Sequence, residues 1–239
     1  MESNKIEVEL CASTQEALKI ASKVTIDRVE LCQSLEQGGL TPSAGLIKYA
    51  KNLNLETHVL IRPRAGGFHY SEDELQLILN EIKFCKDFGV DGIVVGLLKS
   101  NFDIDTAALE RINDVRGNLK LTFHRAFDDT IEWKRSLDRL ITCGVDRLLT
   151  SGFASNVDIG FKNLIEMSRY AKDKIQIMPG GGINVGNALK IIQEVKPEAL
   201  NFSGTVKVLM DEESAFSETI LKPDENRITK LINLVRNYK

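Results

Sequence analysis

The sequence predicts an α/β fold, a (β/α)8 TIM barrel formed as a single domain over residues 1–239. Eight short β-rich runs alternate with eight amphipathic stretches, and no linker separates them. The length of 239 residues agrees with the ~250 typical of such a barrel. A doubly wound open sheet is the competing architecture, but its glycine fingerprint after the first strand is missing.

The elements follow in order. Strand Ile6–Leu10 precedes helix Thr14–Lys23. Strand Ile26–Leu31 precedes helix Pro42–Asn52, where Thr41 offers a capping hydroxyl before a proline at the first helical position. Strand Glu56–Ile61 leads to Ser71–Phe88, opened by the capping box Ser71-Glu72-Asp73-Glu74 and ended by Gly89. Strand Gly92–Leu97 is paired with helix Asp105–Val115, and strand Lys120–His124 with helix Ile131–Cys143, which Gly144 terminates. Strand Asp146–Thr150 with helix Val157–Ala171, Lys174–Met178 with Asn184–Val195, and Ala199–Ser203 with Glu225–Asn237 complete the series. The polar stretch Thr205–Pro223 either covers the barrel mouth or meets another subunit.

Composition narrows the function classes. A net charge of −3 spread along the chain offers no basic face for nucleic acid. The longest apolar runs, such as Gly92–Leu98, are strand-sized, so no membrane span is expected. The N-terminus enters polar strand sequence at once, without a signal-peptide core. Four cysteines in a chain of this length point to a reducing cytosol rather than a disulfide scaffold. The expectation is a soluble cytoplasmic protein.

Strand parity locates the chemistry. Val8 and Leu10, Val29 and Leu31, Val59 and Ile61, Leu121 and Phe123, and Leu200 and Phe202 share a face that should meet the helices. The opposite parity carries Glu9 and Cys11, Glu30 and Cys32, Arg62 and Arg64, Thr122 and His124, and Asn201 and Ser203. In a closed barrel this second set points inward and ends at the C-terminal mouth, where active sites of this fold lie. Buried charges of this kind need partners or a ligand.

Val-Glu-Leu-Cys occurs twice, at residues 8–11 and 29–32. Neighbouring strands ~4.8 Å apart should set carboxylate beside carboxylate and thiol beside thiol. Glu9, Glu30, Arg62 and His124 are the catalytic candidates. One carboxylate would have a raised pKa and a histidine could exchange protons at neutral pH; alternatively the set is a structural ion network. His58 and His69 read as a structural and a loop residue. Arg62, Arg64 and Arg125 suit bidentate anion binding, or else pair with Glu9, Glu30 or Asp128. Gly180, Gly181 and Gly182, followed by Ser203 after the last strand, suit a phosphate held on backbone N–H groups, or simply a tight turn. Cys11 and Cys32 suit a low-coordinate copper(I) ion rather than zinc; two buried space-filling residues or an oxidisable pair are the alternatives.

Several uncommon strings resemble the CutC family over nearly the whole chain. They are Asp27-Arg28-Val29-Glu30-Leu31-Cys32, Gly38-Gly39-Leu40-Thr41-Pro42-Ser43, the run from Ile61 to Tyr70, Thr122-Phe123-His124-Arg125-Ala126-Phe127-Asp128, and Leu149-Thr150-Ser151-Gly152. The resemblance implies a barrel, a cytoplasmic location, a homodimer or higher homo-oligomer, and a copper(I) role for Cys11 and Cys32. Two functions are therefore expected in competition. One is copper homeostasis through the cysteine pair. The other is an enzyme acting on a small anionic or phosphorylated metabolite with the Glu, His and Arg groups at the same mouth.

Overall fold

The computed structural model describes residues 5–210 and 218–238. Its eight parallel strands are β1 (Glu7–Ala12), β2 (Arg28–Leu31), β3 (Thr57–Leu60), β4 (Gly92–Val95), β5 (Lys120–Phe123), β6 (Arg147–Thr150), β7 (Gln176–Pro179) and β8 (Ala199–Phe202). They run in ring order β7-β6-β5-β4-β3-β2-β1-β8, and β7 and β8 stand against each other so that the ring nearly closes. Helices α1 (Gln15–Ala21), α2 (Ala44–Asn52), α3 (Glu72–Phe88), α4 (Thr106–Arg116), α5 (Trp133–Thr142), α6 (Phe161–Ala171), α7 (Ala188–Val195) and α8 (Glu225–Arg236) follow the strands in turn. The expected (β/α)8 barrel is the fold. No helix among the described residues is long and apolar enough to cross a membrane.

The local signals act mostly where the sequence places them. Ser71 and Glu74 form a reciprocal capping box, and Gly89 ends α3 in the left-handed conformation. The start of α2 departs from expectation: Ser43, not Thr41, is the cap, and Pro42 lies outside the helix. Thr41 is already engaged, its hydroxyl accepting from the Arg62 N–H and donating to Glu81. α6 and α7 begin about a turn later than the periodicity suggests, because Asn156 and Asn184 hold side-chain-closed turns before them.

The two strand faces separate as parity requires. Val8, Leu10, Val29, Leu31, Ile93, Leu121 and Phe123 are fully buried in one apolar layer with helix residues such as Leu18, Ile82, Leu109 and Leu137. Each such side chain contributes roughly 1.5–3 kcal/mol of burial. The other parity lies inside the ring: Arg28 on β2 reaches Met178 on β7 across the interior, 3.6 Å away.

After β8 the chain forms an antiparallel hairpin, β9 (Thr205–Met210) with β10 (Glu218–Pro223). It leans on the 3-10 turn Leu35–Gln37 beyond β2, where Leu221 N–H donates to Glu36 at 2.8 Å. The Thr205–Pro223 stretch thus reaches the loop side of the barrel, although residues 211–217 lie outside the described residues.

One polar device recurs at the opposite end. Asp27, Asp91 and Asp146 each precede an even-numbered strand and accept a backbone N–H from the odd-numbered strand before it. The donors are Val8 (2.7 Å), Thr57 (2.9 Å) and Leu121 (2.8 Å). Asp27 also receives Lys5 and, from α8, Arg236, tying the first strands to the last helix. Burial works to raise its pKa, but the bonds from Arg236, Lys5 and Val8 outweigh burial and hold the carboxyl below its ordinary value. Its stabilising effect is therefore present at neutral pH and lost as pH falls through that lowered value. Asp27→Asn is expected to cost roughly 1.5–3 kcal/mol at neutral pH by chemical denaturation. The deficit should shrink in acid, where wild type loses the same contribution; equal neutral-pH midpoints would contradict the clamp.

Candidate functional site at the barrel mouth

The two Val-Glu-Leu-Cys copies are not aligned side by side. In the β1–β2 ladder Glu9 is opposite Arg28 and Cys11 is opposite Glu30, an offset of two residues. The expected carboxylate-to-carboxylate register is therefore wrong. Barrel closure requires tilted strands with a staggered register, and parity restricts any local offset to even steps. The stagger nevertheless brings the thiols together diagonally, with Cys11 Sγ 3.8 Å from Cys32 Sγ.

It also separates the two glutamates. Glu9 is fully buried, with Arg28 Nε donating to Oε2 at 2.6 Å and Asn201 Nδ2 donating to Oε1 at 2.7 Å. Burial pushes its pKa up, but Arg28, aided by His58, Arg147 and Asn201, holds it below the ordinary value. Glu30 receives the same Asn201 amide at 2.9 Å but has no ion-pair partner among the described residues. Burial, then the Glu9 charge, push its pKa up to about 7, against weaker help from Asn201 and Cys11. Glu9 belongs to a buried ion network beneath the mouth, while Glu30 lines the open cavity.

That cavity, of about 280 Å³, carries Cys11, Glu30 and Cys32 on the β1–β2 wall and Arg62 and His124 among its other groups. Gly181, Gly182 and Ser203 line it from the loops after β7 and β8. Arg62, from the loop after β3, is buried and donates to the carbonyls of Gln37, Gly39 and Gly66 at 2.8–2.9 Å. No carboxylate pairs with it among the described residues, and its Nε has no acceptor. His124 follows β5, buried against Phe68 with ring centroids 4.9 Å apart. Its Nδ1 accepts the Ala126 N–H at 3.0 Å, and its Nε2 has no partner among the described residues. Burial first, then the Arg62 and Arg125 charges, lower its pKa to about 3. Gly96 leaves the space for this ring: a Cβ there would lie 2.0 Å from His124 Cε1.

The remaining candidates divide. Arg64 turns from the mouth to Glu74, to the carbonyls of Gly67 and His69 and to the Tyr70 ring, and does not line the cavity. Arg125 pairs with Asp128 at 3.0 Å and Ser151 at 2.8 Å, leaving one edge of its guanidinium against Gly181. Gly180 serves packing, since a Cβ would meet Leu149 at 2.5 Å, and its N–H donates to the Thr150 carbonyl. Gly181 and Gly182 adopt φ values of 90° and 103° that favour glycine. The N–H groups of Gly181, Gly182 and Ile183 donate to no acceptor among the described residues. Ser203 exchanges a hydroxyl contact with Thr205 at 3.2 Å.

Cys11 has its pKa raised well above the usual thiol value by its bond to Cys32, by burial and by the charges of Cys32, Glu30 and Glu9. Cys11 is thus an uncharged thiol at neutral pH. Among the described residues no group of three or more His, Cys, Asp or Glu is arranged for a metal ion. Two sulfurs suit a low-coordinate soft monovalent ion and fall short of tetrahedral zinc.

Sequence reasoning overlooked Arg28 and Arg147 as interior groups and left Asn201 out of the site. All three share the inward parity of Glu30, Leu149 and Ser203; the alternation already placed Asn201 inward, and extending it to Arg28 and to the sixth strand would have found the two arginines.

Known proteins agree with this geometry. The profile of the CutC family matches residues 6–204. A family protein CutC from Glaesserella parasuis is 39% identical over 209 residues, 86% of each chain, and one from Vibrio atlanticus is 38% identical over 83% of this chain and 81% of its own. The crystal structure of CutC from Streptococcus agalactiae, a protein named for copper homeostasis, is 35% identical with a TM-score of 0.79. That match covers 83% of this chain and 98% of the other. A profile spanning most of the barrel, close relatives of similar extent and a shared architecture have one meaning: the chain belongs to the CutC family.

Proposed function

We propose that the protein serves copper homeostasis by binding copper(I) between Cys11 and Cys32. The observation carrying this reading is the 3.8 Å thiol pair at a cavity wall; the name of the solved relative supports it. Copper is the cargo here. Thiolates are the ligands, so binding must release thiol protons, and affinity should rise with pH. The neighbouring Glu30 and Glu9 oppose thiolate formation but favour the arriving cation. The same reading keeps the protein in the cytosol as a homo-oligomer. Titrating the reduced protein with copper(I) against a competing chelator should give a site that Cys11→Ser and Cys32→Ser each weaken about tenfold or more. Equal affinity in both variants would remove the pair from the function.

A second reading has its own observation. Arg62 Nε and His124 Nε2 are buried beside the cavity without acceptors among the described residues, and the Gly181–Ile183 amides likewise have none there. Unspent donors of this kind suit an enzyme for a small anionic or phosphorylated metabolite, the phosphate resting on Gly181, Gly182 and Ser203 and a second anionic group at Arg62. Glu30, with a pKa of about 7, is matched to proton transfer at neutral pH. Arg64 has no part in it, and Arg125 acts only through its edge at Gly181. Sulfate, which does not titrate, should bind in calorimetry and weaken as pH rises from about 6 to about 8, because Glu30 gains charge. His124 stays neutral over that range and the arginines stay cationic. Glu30→Gln should flatten the slope, and Arg62→Ala should weaken binding about tenfold. Sulfate binding that strengthens with pH would defeat this reading; copper and sulfate thus respond to pH with opposite signs.

A further inference from the structure

The histidine at the mouth has its proton in a definite place. A backbone N–H can only donate, so the Ala126 N–H requires a lone pair on His124 Nδ1. The ring therefore carries its proton on Nε2 and is uncharged. That Nε2–H is buried and unpartnered. Arg62 packs over the same Phe68 ring, its Cζ 5.2 Å from the centroid, and its Nε–H is likewise buried without an acceptor among the described residues, near the Tyr70 hydroxyl, which is orphaned too. Each buried donor left unmade costs about 1–3 kcal/mol, so two at one cavity mark a place for an acceptor from outside the chain. The groups facing the ring are Phe68 from the loop after β3, Gly96 after β4, Ala126 beyond β5, and the cations Arg62 and Arg125. Among the described residues no carboxylate faces it, so none of them would draw a second proton onto the ring.

We propose that His124 works as an uncharged hydrogen-bond donor rather than as an acid or base: its Nε2–H, with the Nε–H of Arg62, receives a carbonyl oxygen of the ligand. This rests on the reading of the cavity as a site for a small anionic metabolite and names the ligand further, as a phosphorylated compound bearing a carbonyl. A fixed cation beside a neutral donor holds charge that builds on that oxygen without surrendering a proton to it.

Two phosphorylated probes of similar size separate the possibilities. Phosphoglycolohydroxamate carries an enolate-like oxygen beside its phosphate; glycerol 3-phosphate carries none. By calorimetry the wild-type protein should prefer the hydroxamate at least about tenfold. His124→Gln, whose amide N–H can stand where the ring Nε2–H stood, should keep most of that preference, and His124→Ala should lose it. Two-bond proton–nitrogen NMR spectra of the labelled protein should show His124 as the neutral Nε2–H tautomer from about pH 5 to about pH 8. Equal binding of the two probes overturns this proposal alone, as does a His124 resonance that titrates within that range. Failure of both probes to bind overturns the anion reading and this proposal with it.

Discussion

The two-residue stagger between β1 and β2 is the constraint on which the mouth depends. Two identical tetrapeptides enter the ring on neighbouring strands, and their chemistry would be symmetric if they paired in phase. The ladder does not pair them so. The offset sets Glu9 against Arg28 and Cys11 against Glu30, and leaves the two thiols in diagonal contact. One guanidinium is thereby spent on the lower carboxylate, and none among the described residues reaches the upper one.

The result is a division of labour between two glutamates with the same immediate neighbours in sequence. Glu9 is an ionised member of a buried network joining β1, β2, β6 and β8. Glu30 shares only the Asn201 amide with it and feels its charge, and so rests near the midpoint of its titration at neutral pH. A cavity wall that holds both a titrating carboxyl and a pair of cysteine sulfurs suits either a soft cation that displaces a thiol proton or a substrate that exchanges a proton.

The rest of the mouth is built from donors left free. Arg62 binds together the loops that carry it and still keeps Nε unspent; His124 has one nitrogen engaged by the backbone and the other open. The glycine turn after β7 presents amides with no acceptor among the described residues. Such groups are costly in a folded interior unless a ligand uses them. Copper binding between Cys11 and Cys32, as proposed, would make no use of these donors, whereas the proposed anionic ligand would.

Much of this protein was legible along the chain. Alternating runs in β1, β2 and β5 announced which side chains meet the helices, and the Ser71–Glu74 box and Gly89 marked the ends of α3, because those signals are local. Parity alone sent Glu30, Cys32, His124 and Asn201 inward. It could not say that Arg64, two residues past Arg62, leaves the interior once the strand ends and pairs with Glu74 on α3. Nor could it say that Thr41 is held by Arg62 and Glu81 instead of capping α2. The amino-acid order by itself determined the barrel, its core and the set of groups at its mouth, through short-range periodicity and turn chemistry. Only the tertiary structure decided which glutamate meets an arginine, which histidine nitrogen stays open and which guanidinium keeps a free edge. Those outcomes depend on inter-strand register and loop packing, which join residues far apart in the chain.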